Sequence, residues 1–310
     1  MDFGSINPSV LIASLMVASV PIMLAALGEL IVEKAGVLNL GVEGMMVMGA
    51  ICGFIVTIQT ESPFLGFVGG AMGGAALSLI FAFLTQVLLA NQVATGLALT
   101  MFGLGVSALM GQGYNGLKPV QTPPVPFGPL TDIPFFGRIL FSHDWVVYFS
   151  IFMTGLTWWV LKSTRLGLII RAVGESHEAA HALGYKVNRI RLGAIAFGGA
   201  MAGMGGAYVS LVRVPQWVDG ITAGAGWIAL AIVVFASWKP WRVLIGAYLF
   251  GGITVLQLNL QVAGSWIPVE YLSMSPYLIT ILVLAIMSSG KGRAGLNAPA
   301  ALGQNFHASR

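Results

Sequence analysis

The chain has 310 residues, of which 57% are hydrophobic and only 8% are charged. A water-soluble fold is excluded, because a soluble domain has roughly a quarter of its residues charged to cover its surface. The formal net charge of +4 calls for no nucleic-acid partner, because Lys and Arg fall mainly in a few connections between apolar runs. These runs are continuous, which favours helices over a β-barrel, and we predict an all-α integral membrane protein.

Nine apolar segments are predicted to cross the bilayer, within a range of eight to ten, and together they form one transmembrane domain over 1–310. Each has roughly 17–26 residues, enough to cross a hydrocarbon core of about 30 Å as a helix. The predicted spans are 9–27, 38–59, 64–89, 92–112, 145–161, 191–212, 220–237, 243–262 and 272–288.

The distribution of Lys and Arg predicts the orientation. Eleven of the fifteen lie in three connections, 162–191, 239–242 and 291–310, and an excess of these residues marks the cytoplasmic side. The tail 289–310 is therefore expected in the cytoplasm. If the spans alternate, the loop 213–219 and the connection 111–144 lie outside. The prolines of 111–144 favour an extended lid over a regular helix.

Two Gly-rich segments, 64–76 and 191–207, have similar spacings of small residues and are predicted to run in opposite directions. An inverted repeat, as in many transporters, would produce this similarity. A shared composition of closely packed helices would produce it too, and both interpretations remain open.

The sequence contains no G-x-x-x-x-G-K-[ST] loop, no CxxC and no HExxH, and its one cysteine is Cys52. No phosphate-binding loop for ATP is therefore predicted. His177 and His181 have a spacing that suits a metal, but two solvated histidines on a charged helix are the favoured interpretation. No pair of nucleophile and base is visible, and we predict no catalytic residue, no metal and no cofactor.

The connection 162–191 contains a short predicted helix from Ser176 to Leu183. Ser176 is a good N-cap, Glu175 and Glu178 lie near the positive end of the helix dipole, and Gly184 is a suitable C-terminal stop. Such a short helix is not stable in water by propensity alone. Its apolar face, predicted to consist of Ala179, Ala180 and Leu183, must therefore pack on something. A helix lying on the membrane and a docking helix for a soluble subunit fit equally well.

The sequence EAAHALG at 178–184 resembles the EAA-and-glycine signature of ABC importer permeases. The wider stretch 171–191 is similar to permeases of branched-chain amino acid, ribose and nucleoside importers, and so are GVLNLGVEG at 36–44 and AGAGWIALA at 223–231. The resemblance spans roughly 20–290. The block 28–44 looks most like the second permease subunit of simple-sugar and nucleoside importers, which pair with a lipoprotein.

This resemblance implies a type-II-like ABC importer permease with a cytoplasmic C-terminus in a bacterial inner membrane. Its implied partners are the bilayer, ABC ATPase subunits that bind the ATP, a second permease subunit, and an extracytoplasmic substrate-binding lipoprotein. The second permease is either homologous or identical, and a heterodimer is favoured over a homodimer. The residues implied to contact the ATPase are Glu175, Ser176, Glu178, Ala179, Ala180, Leu183 and Gly184. A nucleoside or a simple sugar is the expected solute. The alternatives are a branched-chain amino acid permease and, from another class, a self-sufficient carrier or channel.

Four polar residues are candidates for a gate or translocation path. Asn39 and Glu43 are four apart and would share a helical face; a carboxylate there is costly in hydrocarbon and suggests a gate. The alternative places Glu43 in the headgroup layer, paired with Lys34. Gln257 and Gln261 share a face of their span. They either line an entry vestibule or are simply polar residues that meet water at the end of the span. Few ionisable side chains fall at the predicted midplane, which fits a neutral polar solute.

Overall fold

The computed structural model describes residues 8–262 and 298–307, together with nine separate positions between 268 and 282; for residue 262 it describes only the backbone. Across these residues the fold is helical, and the only strand-like pairing is one isolated bridge between Pro124 and Asp144. The helices are α1 (Pro8–Lys34), α2 (Val42–Thr60), α3 (Pro63–Ala82), α4 (Gln92–Gly111), α5 (Phe136–Leu140), α6 (Trp145–Ser163), α7 (Arg165–Glu175), α8 (His177–Ala182), α9 (Val187–Tyr208), α10 (Ala225–Phe235) and α11 (Pro240–Val262).

Seven of the helices in the described part are long and apolar enough to cross a membrane, which confirms the all-α membrane fold. They are α1, α2, α3, α4, α6, α9 and α11. Two of them, α3 and α9, continue through π-helical turns at Phe83–Val87 and Val209–Arg213. The predicted span 272–288 lies largely outside the described residues, so the count of nine stays a prediction. We call the end of the bundle with Lys34, Lys162 and Lys239 the inner end, and the opposite end the outer end.

The predicted span 220–237 is wrong in length. Only the 11 residues of α10 are helical there, and at 1.5 Å per residue they extend about 16 Å, half of a bilayer core. The chain leaves the outer end of α9 at Arg213 and returns into the bundle as a non-helical segment before α10 begins. Trp217 of this segment is buried against Gly111, at the outer end of α4.

The first predicted span ends too early, because α1 continues to Lys34 instead of stopping at residue 27. Glu29 and Glu33 are buried in this extension and both accept hydrogen bonds. Both lie beyond the predicted span 9–27, but in the structure they are one helical turn apart within α1 and apolar residues surround them. The bonds they accept offset the desolvation cost that would otherwise end the span.

The centre of the bundle is α9, which packs on α1, α2 and α3. The contacts run through glycines: a Cβ added at Gly203 would lie 2.2 Å from the carbonyl oxygen of Gly70, and one at Gly199 would lie 2.7 Å from that of Gly74. Small residues let helix backbones approach closely in a membrane, where no hydrophobic force drives them together. The two Gly-rich segments therefore pack antiparallel on each other; whether they are a repeat remains open.

The outer connection does contain helix, contrary to the prediction of an extended lid. A 3₁₀ turn at Gly128–Asp132 and the short α5 follow its first prolines. The connection ends at Asp144, whose side chain accepts hydrogen bonds from the Val146 and Val147 amides and from the Tyr208 hydroxyl. This carboxylate caps α6 and joins it to α9.

Candidate coupling surface and gate

The short helix α8 has the predicted caps. The Ser176 hydroxyl accepts a hydrogen bond from the Ala179 amide at 3.2 Å, and the Gly184 amide donates to the His181 carbonyl at 2.8 Å. Gly184 has φ +88°, a left-handed conformation that glycine adopts without strain. The helix runs from His177 to Ala182, close to the predicted bounds.

The predicted apolar face of α8 is wrong, because its residues divide between two sides. Ala180 is buried in a small cluster with Val173, Val187 and Phe306. Ala179 is exposed instead, and Leu183 is 76% exposed. We define the α8 surface by the six exposed residues of the predicted contact set, which are Glu175, Ser176, Glu178, Ala179, Leu183 and Gly184. All the predicted contact residues except Ala180 lie on this surface.

The two histidines of α8 are not both solvated, contrary to the prediction. His177 is 9% exposed, and both rings contact Phe306, with centroid distances of 5.4 Å for His177 and 5.2 Å for His181. Burial is the main cause that lowers the pKa of His177; the nearby Arg191 lowers it further, and Glu178 opposes both. His177 is therefore held towards its neutral form.

Phe306 belongs to a C-terminal segment, 298–307, that packs against the inner end of the bundle. The Ala301 amide donates to the Gly174 carbonyl at 2.9 Å, and the Gly303 amide donates to the Gly36 carbonyl at 3.2 Å. Asn305 donates to the Leu89 carbonyl at 2.7 Å. This segment, which we call the tail strap, thus joins α7, the α1–α2 connection and the α3–α4 turn.

Arg191, at the end of the charged connection, is fully buried. Its guanidinium donates to the Ala35 carbonyl at 3.2 Å and to the Gln304 carbonyl at 2.9 Å. A buried charge needs such partners to be tolerated. Arg191 therefore ties α9 to the end of α1 and to the tail strap.

Asn39 and Glu43 do not share a helical face, because α2 begins only at Val42. Asn39 lies in the non-helical α1–α2 connection and is buried. Its side-chain oxygen accepts a hydrogen bond from the Gly41 amide, and its backbone N–H donates to the Glu29 carboxylate. The neighbouring Leu38 amide donates to Gln92 of α4 at 2.9 Å. The connection is thus held from both sides.

Glu43 lies inside the bundle, bonded to the segment around the start of α10 and not to Lys34 among the bonds of the described residues. It is 5% exposed and accepts hydrogen bonds from the Thr222 hydroxyl at 2.5 Å and from the Gly224 and Gly226 amides at 2.9 and 2.6 Å. The next residue, Gly44, touches Thr100, which is eight residues into α4, a depth of about 12 Å. The carboxylate therefore receives the N-terminus of the half-length α10 within the membrane.

Gln257 and Gln261 are half-buried near the outer end of α11. No hydrogen bond among the described residues joins them to Asn39 or Glu43. Asn39 lies in the α1–α2 connection and Glu43 in the first turn of α2, whereas Gln257 and Gln261 lie towards the outer end of α11.

The sequence analysis missed the bond from the Trp238 indole to Glu33, which joins the end of α10 to α1 at 2.5 Å. A signal was available: Glu29 and Glu33 lie one helical turn apart within an otherwise apolar pattern. α10 is thus held at both ends by carboxylates, Glu43 at its start and Glu33 just after its end. Among the described residues, no group of three His, Cys, Asp or Glu side chains is arranged to hold a metal ion.

Proteins similar in sequence to this chain are named as permease proteins of ABC transporters. TsgC13 of Haloferax volcanii, provisionally named as a glucose ABC transporter permease, is 40% identical over 94% of this chain and 95% of its own. NupQ of Bacillus subtilis, a guanosine ABC transporter permease protein, is 33% identical over 89% and 91%. Each organism also has a more distant relative named for the same solute, TsgB13 at 25% and NupP at 22% identity.

A solved structure has the same fold. It is an inward-facing ABC transporter provisionally assigned to the metal-chelate type, with a TM-score of 0.51 and 16% identity over 89% of this chain and 84% of the other. The family profile described as "Branched-chain amino acid transport system / permease component" matches residues 11–287. The chain therefore belongs to this family and is a membrane-spanning permease subunit of an ABC importer.

Proposed function

We propose that this permease carries a nucleoside or a simple sugar into a bacterial cell across the cytoplasmic membrane. The observation that carries the proposal is its similarity, at 33–40% identity over about nine-tenths of the chain, to proteins named for guanosine and glucose transport.

The proposed energy source is a separate ABC ATPase that docks on the α8 surface. Leu183, exposed by 76%, is the apolar contact that a groove in the partner would bury. Glu175 and Glu178 flank it and suit a basic rim. Behind α8, the tail strap and Arg191 join it to the α1–α2 connection, so a push on α8 reaches Glu43 and α10 through packed and hydrogen-bonded groups.

The proposed assembly also contains a second permease subunit, homologous rather than identical, and an extracytoplasmic binding lipoprotein. The paired relatives support the first of these. In Haloferax volcanii and Bacillus subtilis alike, this chain is more similar to one permease named for the solute than to the other. Two different permease chains for one solute are the expected consequence.

The test is uptake by proteoliposomes that contain the permease together with the ATPase, the partner permease and the binding protein encoded by the neighbouring genes. We expect ATP-dependent uptake of labelled guanosine or glucose and none of leucine. ATP-independent uptake by this chain alone would replace the proposal by a self-sufficient carrier, and leucine uptake would replace the solute class.

Gly184 supplies a sharper variant of this test. A Cβ at Gly184 meets no atom within 4 Å, so Gly184→Val causes no clash within the described chain but strains the backbone and adds bulk to the α8 surface. We expect uptake and ATPase co-purification to fall at least tenfold. Gly184→Asn is the control, because Asn tolerates the left-handed conformation. Unchanged co-purification of the ATPase with Gly184→Val would argue against docking at α8.

A further inference from the structure

Five cationic side chains line one cavity of about 460 Å³ at the inner end of the bundle. The cavity lies where the ends of α1 and α6, the middle of α7 and the α10–α11 turn meet. We call it the basic pocket and define it by these five cations: Lys34, Lys162, Arg171, Lys239 and Arg242. None of its lining residues belongs to α8, so it is distinct from the α8 surface.

In the described part of the chain, two carboxylates act on Lys34, against five cations in the basic pocket. Glu33 and Glu175 attract Lys34, while Arg171 and Lys239 repel it. Glu33 is buried and already accepts a hydrogen bond from Trp238. Lys162, Arg171, Lys239 and Arg242 are all exposed at the rim. Among the described residues, the four exposed cations therefore give the basic pocket a positive charge that is accessible to an anion.

Three tryptophans line the same cavity, which places it at the membrane boundary. The Lys162 ammonium lies 4.8 Å from the Trp158 ring centroid, and the Trp158 and Trp241 rings are 6.3 Å apart. Both rings are partly exposed, whereas Trp238 is buried. Lys162 lies in the last turn of α6, and Lys239 immediately precedes α11. The cations therefore lie where spanning helices end.

An exposed apolar stripe continues from the basic pocket towards the middle of the bundle. Trp241, Ile245 and Leu249 follow one another at intervals of four residues on α11 and are 46%, 60% and 39% exposed. This spacing keeps them on one helical face. A ligand with an anionic head and long apolar chains would contact the cations and the stripe together, whereas a soluble anion or an acidic protein segment would leave the stripe uncovered.

We propose that the basic pocket binds the phosphate headgroup of an anionic phospholipid from the cytoplasmic leaflet, with an acyl chain along the Trp241–Leu249 stripe. Basic pockets between membrane helices on the cytoplasmic side are suited to such headgroups. The bound lipid would bridge α6, the start of α11 and α7, which is the helix that leads into α8. This inference does not depend on which solute the permease carries.

The test uses the full-length permease, delipidated in mild detergent and titrated with cardiolipin, phosphatidylglycerol or phosphatidylcholine by native mass spectrometry. We expect cardiolipin to bind at least tenfold more tightly than phosphatidylcholine. Lys162→Gln, Lys239→Gln and Arg242→Gln together should weaken cardiolipin binding about a hundredfold, since each surface cation contributes roughly fivefold. The matched control is Arg165→Gln, Lys186→Gln and Arg189→Gln, which changes three basic residues of the connection 162–191 that lie outside the basic pocket.

Each other outcome overturns the proposal. An equal loss in the two triple variants would indicate a diffuse basic surface, and absence of anionic preference would remove the headgroup site. Displacement of cardiolipin by millimolar inorganic phosphate would identify a soluble anion, and displacement by the purified ATPase would identify a protein interface. If the triple variant does not fold, Trp158→Ala replaces it, with Trp159→Ala as its exposed neighbour; equal binding by these two variants contradicts the proposal.

Discussion

Glu43 keeps its carboxylate inside the bundle because three donors converge on it. Two of them are the amides of Gly224, the residue immediately before α10, and of Gly226 in its first turn, where N–H groups have no partner within the helix. The third is the Thr222 hydroxyl. One side chain thus satisfies backbone groups that would otherwise be unpaired within a membrane, where each costs several kcal/mol.

We expect Glu43→Ala to lower the free energy of unfolding by about 3 kcal/mol or more, because it leaves three donors without their acceptor, two of them backbone amides, and each unsatisfied buried donor costs about 1–3 kcal/mol. The measurement is the unfolding midpoint in detergent. Glu61→Ala is the control, because Glu61 is an exposed acidic residue at the other end of the same helix. Equal midpoints for the two variants would mean that Glu43 does not hold α10.

At the scale of elements, local signals predicted the caps of α8 and most helix boundaries. Ser176 and Gly184 act through atoms within four residues, so the sequence alone contains the information. The half-length α10 was not predictable in this way. The sequence is apolar immediately before and after Gly224 and marks no helix start there. The start of α10 depends on Glu43, which lies about 180 positions earlier in the chain.

The same reasoning explains the error on α8. Its composition predicts one small apolar face, but the tail strap covers Ala180 and leaves Leu183 exposed. Phe306, which packs in this cluster, is distant in sequence and belongs to no periodic pattern. Contacts between distant segments therefore determined what the sequence analysis of the candidate site missed.

The docking of the tail strap on α8 should weaken in mild acid. The pKa of His177 is lowered in the folded chain, chiefly by burial, so the folded state favours the neutral ring. This stabilisation is complete above the unfolded pKa of about 6.5 and is lost as pH falls below it. We expect hydrogen exchange at 298–307, corrected for intrinsic rates, to be faster at pH 5.5 than at pH 7.5.

The charged groups around His177 are Arg191 and Glu178. A second titratable ring, His181, also contacts Phe306. His177→Gln should remove the extra exchange in acid. His181→Gln is the matched control, because its ring touches Phe306 but is exposed, and it should retain the effect. An acid effect that survives in His177→Gln would assign it to another group.

For the whole molecule, the close approach of α9 to α2 and α3 determines how the bundle holds together. Gly203 is central to this contact: an added Cβ at Gly49 would lie 2.2 Å from its Cα, and one at Gly74 would lie 2.7 Å from it. Backbone touches backbone here, so no side chain is able to move aside. The shape of the bundle, and the depth at which Glu43 meets α10, depend on this contact.

Gly203→Ala should therefore lower the unfolding midpoint in detergent by several degrees, since overpacking costs about 1–3 kcal/mol or more. Gly193→Ala is the control on the same helix, because a Cβ there meets no atom within 4 Å. It should be neutral or stabilising by up to about 1 kcal/mol, as Ala favours a helix over Gly. If both substitutions shift the midpoint equally, helix propensity and not backbone contact governs α9, and the packing described for the bundle's centre is wrong.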